Sequence, residues 1–472
     1  MAAQPNILTI VWHDTGRWFG CYGNESVHTP HADGIATEGV RFGNCLAASA
    51  LCSPSRAALF TGRLCQHSGV MYLTNEARDN RIGPDSTHLA RHLKQQGYHT
   101  ARFGTLHEAA HEHVPIICDF DSMHACDPWP QAPVVAEAFE QWVSTRDSQA
   151  PFYAQVGLFE AHTPWDFQGI AGDDDKGIHL PPYLADTERN RVCLRDQQGA
   201  LRVGDAAIGR ILAALDKLGI GDNTIVCMQV DHGIDVPRAK TTCYDPGLEV
   251  AWLLRWRAGQ LPAGHVVDSL CTHIDVLPTL CELAQLPCPS NCDGLSFANQ
   301  ARGTDTSSPR TTVFSHFVDK HRSVRTATRK LIRNFTCQPN PLGKQTLDLN
   351  ADVPMQAPGH LELYDLEADP NEFHDLSANP AYAKDLAALD AQLWDFLLNT
   401  QDFIVHMPVR TPWQLATRRD LEAHCTSHGR TAPIGVGPLL EPHAASYDPA
   451  LGSTKRYFDD LPGRLTQAPT VS

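Results

Sequence analysis

The chain has no long apolar segment and no excess of basic charge. None of its hydrophobic runs reaches the ~18 residues that a membrane-spanning helix requires, so no membrane span is predicted. Its 54 acidic residues outnumber the 38 Lys and Arg residues, which gives a formal net charge of −16. Because phosphate backbones bind basic surfaces, this charge argues against a nucleic-acid partner. Internal repeats and low-complexity segments are lacking too, and 42% hydrophobic residues indicate a sizeable core.

Export signals and a disulfide framework are also missing from the sequence. The start, MAAQPN, shows neither a basic region nor an apolar one of signal-peptide type. A cytoplasmic location is therefore expected, or a periplasmic or secreted one if a leader has been removed. The 15 cysteines are odd in number and lack zinc-finger spacing. Cys288 and Cys292 are close enough in sequence for a disulfide, but a cytoplasmic location favours reduced thiols.

Continuous apolar runs alternate with helical patterns over the first 300 residues. Strands are predicted at Asn6–Trp12, Phe152–Phe159 and Thr224–Val230, since uninterrupted apolar runs of this length are typical of strands buried on both faces. A long helix is predicted at about Thr187–Leu218, with Gly219 at its end. Strands that alternate with helices predict an α/β domain with a central, mainly parallel sheet.

After about residue 309 the pattern changes. The segments Thr312–Phe317, Ser323–Asn334 and Glu362–Leu366 are predicted strands with no helices between them, so their sheet should be antiparallel. An amphipathic helix is predicted at Ala381–Leu398. At 472 residues the chain exceeds a single core. We therefore predict a catalytic α/β domain at 1–308, a smaller α+β subdomain at 309–400 and a surface tail at 401–472.

One short motif predicts specific chemistry. Cys52-Ser53-Pro54-Ser55-Arg56 is followed by Thr61-Gly62-Arg63. This run resembles the signature of the type I, formylglycine-dependent sulfatases, in which the cysteine is oxidised to an aldehyde whose hydrate attacks sulfur. The alternative is an ordinary buried cysteine beside a proline turn.

The resemblance extends over nearly residues 6 to 400. Matching segments lie at 20–23, 38–42, 160–164, 240–249 and 363–372. The pattern is most similar to the sulfamidase-like branch, which includes N-sulfoglucosamine sulfohydrolases. It implies an alkaline-phosphatase-like α/β sandwich with a C-terminal antiparallel subdomain.

Polar residues follow two of the predicted buried strands. His13 and Asp14 come after the first strand, and Asp231 and His232 come after Thr224–Val230. The carboxyl ends of the strands of open α/β sheets gather functional groups, so these residues are candidate metal ligands. The alternatives are that His13 and Asp14 cap a turn, or that His13 does not bind the metal and instead donates a hydrogen bond that orients Asp14.

The resemblance implies a divalent metal held by these four residues and Cys52. Ca²⁺ is the ion expected from the family, with Mn²⁺, Mg²⁺ and Zn²⁺ as alternatives. His13 stands where the family usually has an aspartate, and two histidine ligands favour a softer ion than Ca²⁺.

The resemblance also assigns catalytic roles. Arg56 would hold the aldehyde hydrate, and Lys240 would face a non-bridging oxygen of the substrate. His162 would donate a proton to the leaving group, and His107 would act as the base that expels sulfate. The alternatives are a surface ion pair for Arg56, a solvated lysine for Lys240 and structural roles for the two histidines.

Substrate contacts are less clearly marked. Thr105 stands in the position of the family lysine that binds the sulfuryl group, which puts the substrate class in question. His316, His321 and Arg322 are candidates for contact with the sugar or alcohol part of a substrate.

The predicted function is hydrolysis of a sulfate ester or sulfamate, of a sulfated sugar or a small organic sulfate. The predicted partners are this substrate and a formylglycine-generating enzyme that matures Cys52, and a homodimer is a further expectation. Two alternatives remain: a phosphonate monoester or phosphodiester hydrolase on the same scaffold, and a catalytically silent binding homologue, which Thr105 and His13 would suit.

Overall fold

The computed structural model describes residues 4–74, 80–126, 129–146, 150–259, 261–335, 347–350, 359–407 and 412–433. Its strands are β1 (Asn6–Trp12), β2 (Val40–Leu46), β3 (His99–Gly104), β4 (Ser122–His124), β5 (Phe152–Leu158), β6 (Thr224–Val230), β7 (Trp252–Arg255), β8 (His265–Thr272), β9 (Val313–Phe317), β10 (His321–Arg325), β11 (Arg329–Asn334) and β12 (Leu361–Asp365).

The helices follow the same chain order. They are α1 (Pro30–Glu38), α2 (Cys52–Thr61), α3 (Cys65–Ser68), α4 (Leu89–Gln95), α5 (Val114–Ile117), α6 (Ala132–Thr145), α7 (Glu188–Lys217), α8 (Asp245–Leu248), α9 (Val276–Leu283), α10 (Ala298–Ala301), α11 (Ala383–Asn399), α12 (Phe403–His406) and α13 (Pro412–Ser427). Within the described residues, none of these helices is both long and apolar enough to cross a bilayer.

An eight-stranded sheet forms the centre of the catalytic part, in the order β4-β3-β5-β1-β6-β7-β2-β8. β1 lies between β5 and β6 and is parallel to both, whereas β7 runs antiparallel to β6 and β2. Every residue of β1, β5 and β6 is buried, because the sheet is covered on both faces. The predicted α/β fold with a mainly parallel central sheet is confirmed.

Strand register brings two candidate ligand pairs together. Trp12, the last residue of β1, is in register with Val230, the last residue of β6. The next residues of the two strands, His13 and Asp231, therefore leave the same edge of the sheet side by side. This edge is the carboxyl end of the parallel strands, where the sequence predicts the site.

The smaller sheet is antiparallel, in the order β12-β11-β10-β9, as predicted. The segment Ser323–Asn334, predicted as one strand, instead belongs to a hairpin of β10 and β11 that reverses at residues 326–328. A bridge between Ser49 and His316 joins β9 to the segment that leads into α2. The small sheet is thus attached directly to the element that carries Cys52.

The chain after residue 400 is more buried than the predicted surface tail. Phe403, Ile404 and Val405 are each at most 2% exposed, because this short apolar run packs into the core as α12. Leu421 and Cys425 of α13 are 1% exposed. Residues 434–472 of the predicted tail lie outside the described residues.

Candidate active site

Cys52 is the first residue of α2, a helix whose ten residues are all buried. Gly62 ends the helix in the left-handed conformation, with φ 64°, where a side chain would be strained. The Sγ atom of Cys52 lies 3.1 Å from Nε2 of His232 and 3.9 Å from Oδ1 of Asp14. The amino-terminal end of a helix carries partial positive charge, so the backbone favours an anion at this position.

Two buried carboxylates lie beside Cys52, and each is paired with a cation. Nζ of Lys240 lies 2.6 Å from Oδ2 of Asp14, and Nε of Arg56 lies 2.9 Å from Oδ2 of Asp231. Burial raises the pKa of both carboxyls. The neighbouring cations together outweigh burial, led by Lys240 for Asp14 and by His232 for Asp231, so each pKa is well below its usual range. Both side chains are therefore ionised.

The backbone at Asp14 is strained, since this non-glycine residue has φ 48°. The conformation is held by a hydrogen bond from the Asp14 N–H to Oδ1 of Asp231 at 2.9 Å. Gly16, with φ 58°, follows in the chain. A Cβ atom at this position would lie 3.3 Å from the backbone of both Glu249 and Gly233. Strained residues of this kind persist where surrounding structure fixes them, often at functional sites.

The predicted metal ligands converge. One ligand atom from each of His13, Asp14, Cys52 and Asp231 lies within 4.8 Å of the others. The fifth, His232, donates from Nδ1 to the Gly233 carbonyl at 2.9 Å, which leaves Nε2 directed at Cys52 and 3.3 Å from Asp14 Oδ1. A carbonyl that fixes the tautomer in this way is typical of metal-ligating histidines.

His13 has the properties of a ligand as well. Its Nδ1 lies 2.9 Å from Oδ2 of Asp231, and both its ring nitrogens are buried without a well-formed hydrogen bond. Burial and the charge of Arg56 lower the pKa of His13, but the carboxylates of Asp231 and Asp14 together outweigh them and raise it to about 10. Two carboxylates and two imidazoles form a donor set that fits a divalent cation.

The site also stabilises negative charge at position 52. Burial and the charges of Asp14 and Asp231 raise the pKa of the Cys52 thiol, but neighbouring cations, led by Lys240 and His232, bring it well below the usual range. The same surroundings would favour an oxyanion on any group formed at this side chain.

Two more predicted residues, His107 and His162, surround the His13 ring. The ring centroids of His107 and His162 lie 5.7 Å and 5.2 Å from that of His13. Nδ1 of His162 donates to the Thr163 carbonyl at 2.6 Å, so Nε2 faces the site, 3.9 Å from Oδ2 of Asp14. Burial lowers the pKa of His162.

Trp129 is a site residue that the sequence reasoning missed. Its ring is stacked on His162 at 6.2 Å, contacts His107 at 5.7 Å and remains 39% exposed. It follows β4 in an irregular segment with no periodic pattern. In the sequence, only the presence of a tryptophan at this position could have drawn attention to it.

Thr105 follows β3 and is 5% exposed, with no hydrogen bond to Oγ1. It therefore offers no charge where the resembling family has a lysine. Arg56 is fully buried, and its Nη1 and Nη2 atoms have no hydrogen-bond partner. Arg56 and Lys240 are the cations that the structure brings to the Cys52 cluster among the described residues.

His316 and Arg322 lie in the small sheet and not in the Cys52 cluster. Arg322 makes a bidentate ion pair with Asp402, with both N–O distances 2.9 Å, and also donates to the carbonyls of Val318 and His321. His316 is 5% exposed and lines a small cavity together with Arg322. Their predicted contact with substrate stays a prediction.

Comparison with known proteins identifies the family of the chain. The profile of the sulfatase family matches residues 5–286, and a profile described as N-sulphoglucosamine sulphohydrolase, C-terminal, matches residues 238–356. An ulvan-active sulfatase of Formosa agariphila is 27% identical over 399 residues, which cover 79% of this chain and 76% of that protein.

Two solved structures share the fold. One is a protein in complex with its substrate D-glucosamine-2-N,6-O-disulfate, with a TM-score of 0.65, 19% identity and coverage of 84% of this chain and 98% of that one. The other is a phosphonate monoester hydrolase of Agrobacterium radiobacter, with a TM-score of 0.64, 17% identity and coverage of 84% and 96%.

The family profile spans more than half of the chain, including β1, α2 and β6, which carry the clustered residues. The second profile covers three of the four strands of the small sheet, β9 to β11. The chain therefore belongs to the sulfatase family and is a sulfuric ester hydrolase.

Proposed function

We propose that this hydrolase acts through a formylglycine formed from Cys52, assisted by a divalent cation. The observation that carries the proposal is the position of Cys52, at the first turn of α2 and within 4 Å of both His232 and Asp14. A buried cysteine used only for packing would have no need of two carboxylates, two imidazoles and a lysine around it. Maturation would require a formylglycine-generating enzyme.

His13, Asp14, Asp231 and His232 are the residues that would hold the cation, with the group at position 52 facing it. When bound, such an ion would neutralise negative charge on the sulfuryl group and act as a Lewis acid. Ca²⁺ is the family expectation, whereas the two imidazoles favour a softer ion. Formylglycine, once hydrated, would supply the hydroxyl nucleophile.

In this proposal, Arg56 and Lys240 bind the charged oxygens of the substrate's sulfuryl group and of the hydrated formylglycine. The free Nη atoms of Arg56 are buried donors, and Lys240 lies 8% exposed between Asp14 and Asp235. Fixed cations in a site that excludes water stabilise developing charge more strongly than they would in bulk solvent.

His162 and His107 move protons. His162 donates to the leaving group from Nε2, the nitrogen left free by its bond to the Thr163 carbonyl. His107 serves as the base, and its ring centroid lies 5.7 Å from that of His13. Trp129, exposed beside both histidines, provides an apolar face against which the leaving group can rest.

The substrate is proposed to be a sulfate ester or sulfamate of a sulfated sugar. The Formosa relative is an ulvan-active sulfatase, and one structural neighbour binds a glucosamine disulfate. An exposed tryptophan at the mouth of the site suits the apolar face of a sugar ring. A cytoplasmic location and a homodimer stay predictions.

A phosphonate monoester or phosphodiester hydrolase is the second candidate. The fold of the Agrobacterium phosphonate monoester hydrolase favours it, as does the pair Asp231-His232 at the end of β6. A metal and an aldehyde hydrate would serve phosphorus as well as sulfur.

Initial rates on nitrophenyl sulfate and nitrophenyl phenylphosphonate distinguish the two candidates. The matured protein should prefer the sulfate, and Cys52→Ala should lose at least about 10³-fold in kcat/KM, as removal of a nucleophile does. Cys227→Ala, which alters a buried cysteine inside β6, is the matched control and should keep most activity. A strong preference for the phosphonate would instead establish the second candidate.

A further inference from the structure

A second group of metal-ligating side chains lies outside the Cys52 cluster. His28 precedes α1, and Asp173 and Asp175 lie in the loop between β5 and α7. Ligand atoms of the three residues lie within 4.8 Å of one another. Nε2 of His28 is 3.8 Å from Oδ2 of Asp173 and 4.0 Å from Oδ2 of Asp175.

Two of these atoms are buried without a hydrogen-bond partner. The Asp173 side chain is only 3% exposed, and its Oδ2 accepts no hydrogen bond, nor is Nε2 of His28 bonded. A separation of 3.8 Å is too long for a hydrogen bond between them. Buried polar atoms nearly always have partners, so this pair of facing atoms needs an explanation.

The separation is close to that of two ligands of one metal ion. For a tetrahedral Zn²⁺ with ligand distances near 2.1 Å, the ligand atoms are about 3.4 Å apart. Asp175 is 64% exposed, so its carboxylate can reach the ion by turning away from Arg202, which its Oδ2 contacts at 2.8 Å. The unpaired nitrogen and oxygen thus face a space that a cation would fill.

The loop is held mainly by hydrogen bonds of its backbone, and the Asp175 N–H also donates to Oδ1 of Asp173 at 3.2 Å. Gln198 of α7 donates to the carbonyls of Asp173 and Gly177, at 2.8 Å and 2.9 Å. The Asp173 N–H donates to the carbonyl of Arg195 at 2.9 Å. Because the carboxylate of Asp173 is positioned in this way, little ordering is needed when an ion binds.

Positive charge nearby limits the affinity. Arg202 lies 2.8 Å from Oδ2 of Asp175 and 3.5 Å from Oδ1 of Asp173, and Nζ of Lys176 donates to the carbonyl of Val27. The carboxylates of Asp173 and Asp175 and the guanidinium of Arg202 together give a net charge of about −1 beside the His28 ring. An imidazole with carboxylates is a donor set for ions such as Zn²⁺ rather than Mg²⁺.

We propose that His28, Asp173 and Asp175 form a second divalent-cation site of the Zn²⁺ type. The ion would join the start of α1 to the loop that leads from His162 to α7, and its role would be to stabilise this loop. The site is independent of the chemistry at Cys52.

Equilibrium dialysis of the full chain with Zn²⁺ tests the proposal. The wild-type protein should bind one Zn²⁺ per chain more than His28→Ala and more than Asp175→Asn, an exposed change that leaves the fold intact. Arg202→Gln, which removes the competing cation, should bind this Zn²⁺ about fivefold more tightly. His374→Ala is the matched control, since His374 forms an exposed pair with Asp369 and should not change the stoichiometry.

Equal Zn²⁺ stoichiometry in the wild-type protein, His28→Ala and Asp175→Asn would overturn the proposal and leave an ordinary ion-pair cluster. Unchanged affinity in Arg202→Gln would also contradict it. None of these measurements depends on sulfatase activity. A negative result for the Zn²⁺ site can therefore be distinguished from a negative result for the proposed function at Cys52.

Discussion

At the scale of single residues, the site concentrates charge in a buried space. Asp14 and Asp231 are fully buried, and each is paired with a cation at less than 3 Å. Such pairs cost desolvation free energy and are weak evidence for stability, so their presence indicates function. His13, where the family usually has an aspartate, lowers the net negative charge available to a metal.

Lys240 provides the sharpest test at this scale. We expect Lys240→Ala to lower kcat by about 10²–10³-fold, because a fixed cation opposite the developing charge is lost. Lys217→Ala, an exposed lysine at the end of α7, should leave kcat unchanged. Steady-state kinetics with circular dichroism as a folding check provides the measurement. Full activity in well-folded Lys240→Ala would contradict the role assigned here.

Much of the site could be predicted from single residues and the rule for strand ends. His13, Asp14, Asp231 and His232 follow apolar runs whose ends meet in a parallel sheet. The rest could not, because it depends on tertiary contacts between distant segments. Trp129 reaches His162 from an irregular segment, and the cation pairs of Asp14 and Asp231 bridge more than 170 residues.

At the scale of elements, the buried strands were the most predictable. The bounds of β1 and β6 agree with the sequence prediction, because a strand buried on both faces must be apolar throughout. β2 and β8 were not predicted, since polar and small residues interrupt their apolar pattern. The hairpin of β10 and β11 was missed because its turn, Thr326-Ala327-Thr328, contains no glycine, proline or asparagine.

The attachment of α12 to the small sheet gives a prediction at this scale. Arg322 and Asp402 are both 2% exposed and form a bidentate pair, and Asp402 also accepts from the N–H of Ile404 at the start of α12. Arg322→Met should lower the free energy of unfolding by about 3–5 kcal/mol, because it leaves a buried carboxylate unpaired. Urea denaturation followed by circular dichroism measures this.

The double variant Arg322→Met/Asp402→Leu distinguishes an effect of unpaired charge from an effect of lost packing. It should recover much of the lost stability, since no uncompensated buried charge remains. Arg191→Met, which breaks the exposed pair with Asp186, is the control and should change stability little. A double variant no more stable than the single one would indicate that packing, and not charge, explains the loss.

At the scale of the whole molecule, acidic charge and buried histidines set the response to pH. The chain carries a net charge of −16 and 24 histidines. Burial, followed by the charge of Arg322, lowers the pKa of His316 to about 3. The unfolded chain would bind a proton at this side chain near pH 6.5, whereas the folded protein would not.

The part of the stability that depends on His316 should therefore fall as the pH falls. The contribution of His316 to the free energy of unfolding is fully present above pH 6.5. It decreases by about 1.4 kcal/mol per pH unit between pH 6.5 and about 3. By pH 5 the loss is therefore about 2 kcal/mol. Urea midpoints of the wild-type protein and His316→Gln at pH 7 and pH 5 measure it. The wild-type protein should lose more stability between the two pH values, whereas His374→Gln, altered at an exposed histidine, should lose as much as the wild-type protein. An equal pH response of the wild-type protein and His316→Gln would contradict the pKa direction.

The mass of the peptide that contains residue 52 tests the central claim most directly. After co-expression with a formylglycine-generating enzyme, mass spectrometry of the active protein should find the aldehyde, or its hydrate, in place of the thiol at Cys52. The same peptide from Cys52→Ser, expressed in the same cells without a bacterial serine-type maturase, should be unmodified and inactive. An intact thiol at Cys52 in a preparation that hydrolyses sulfate esters at full rate would contradict the account.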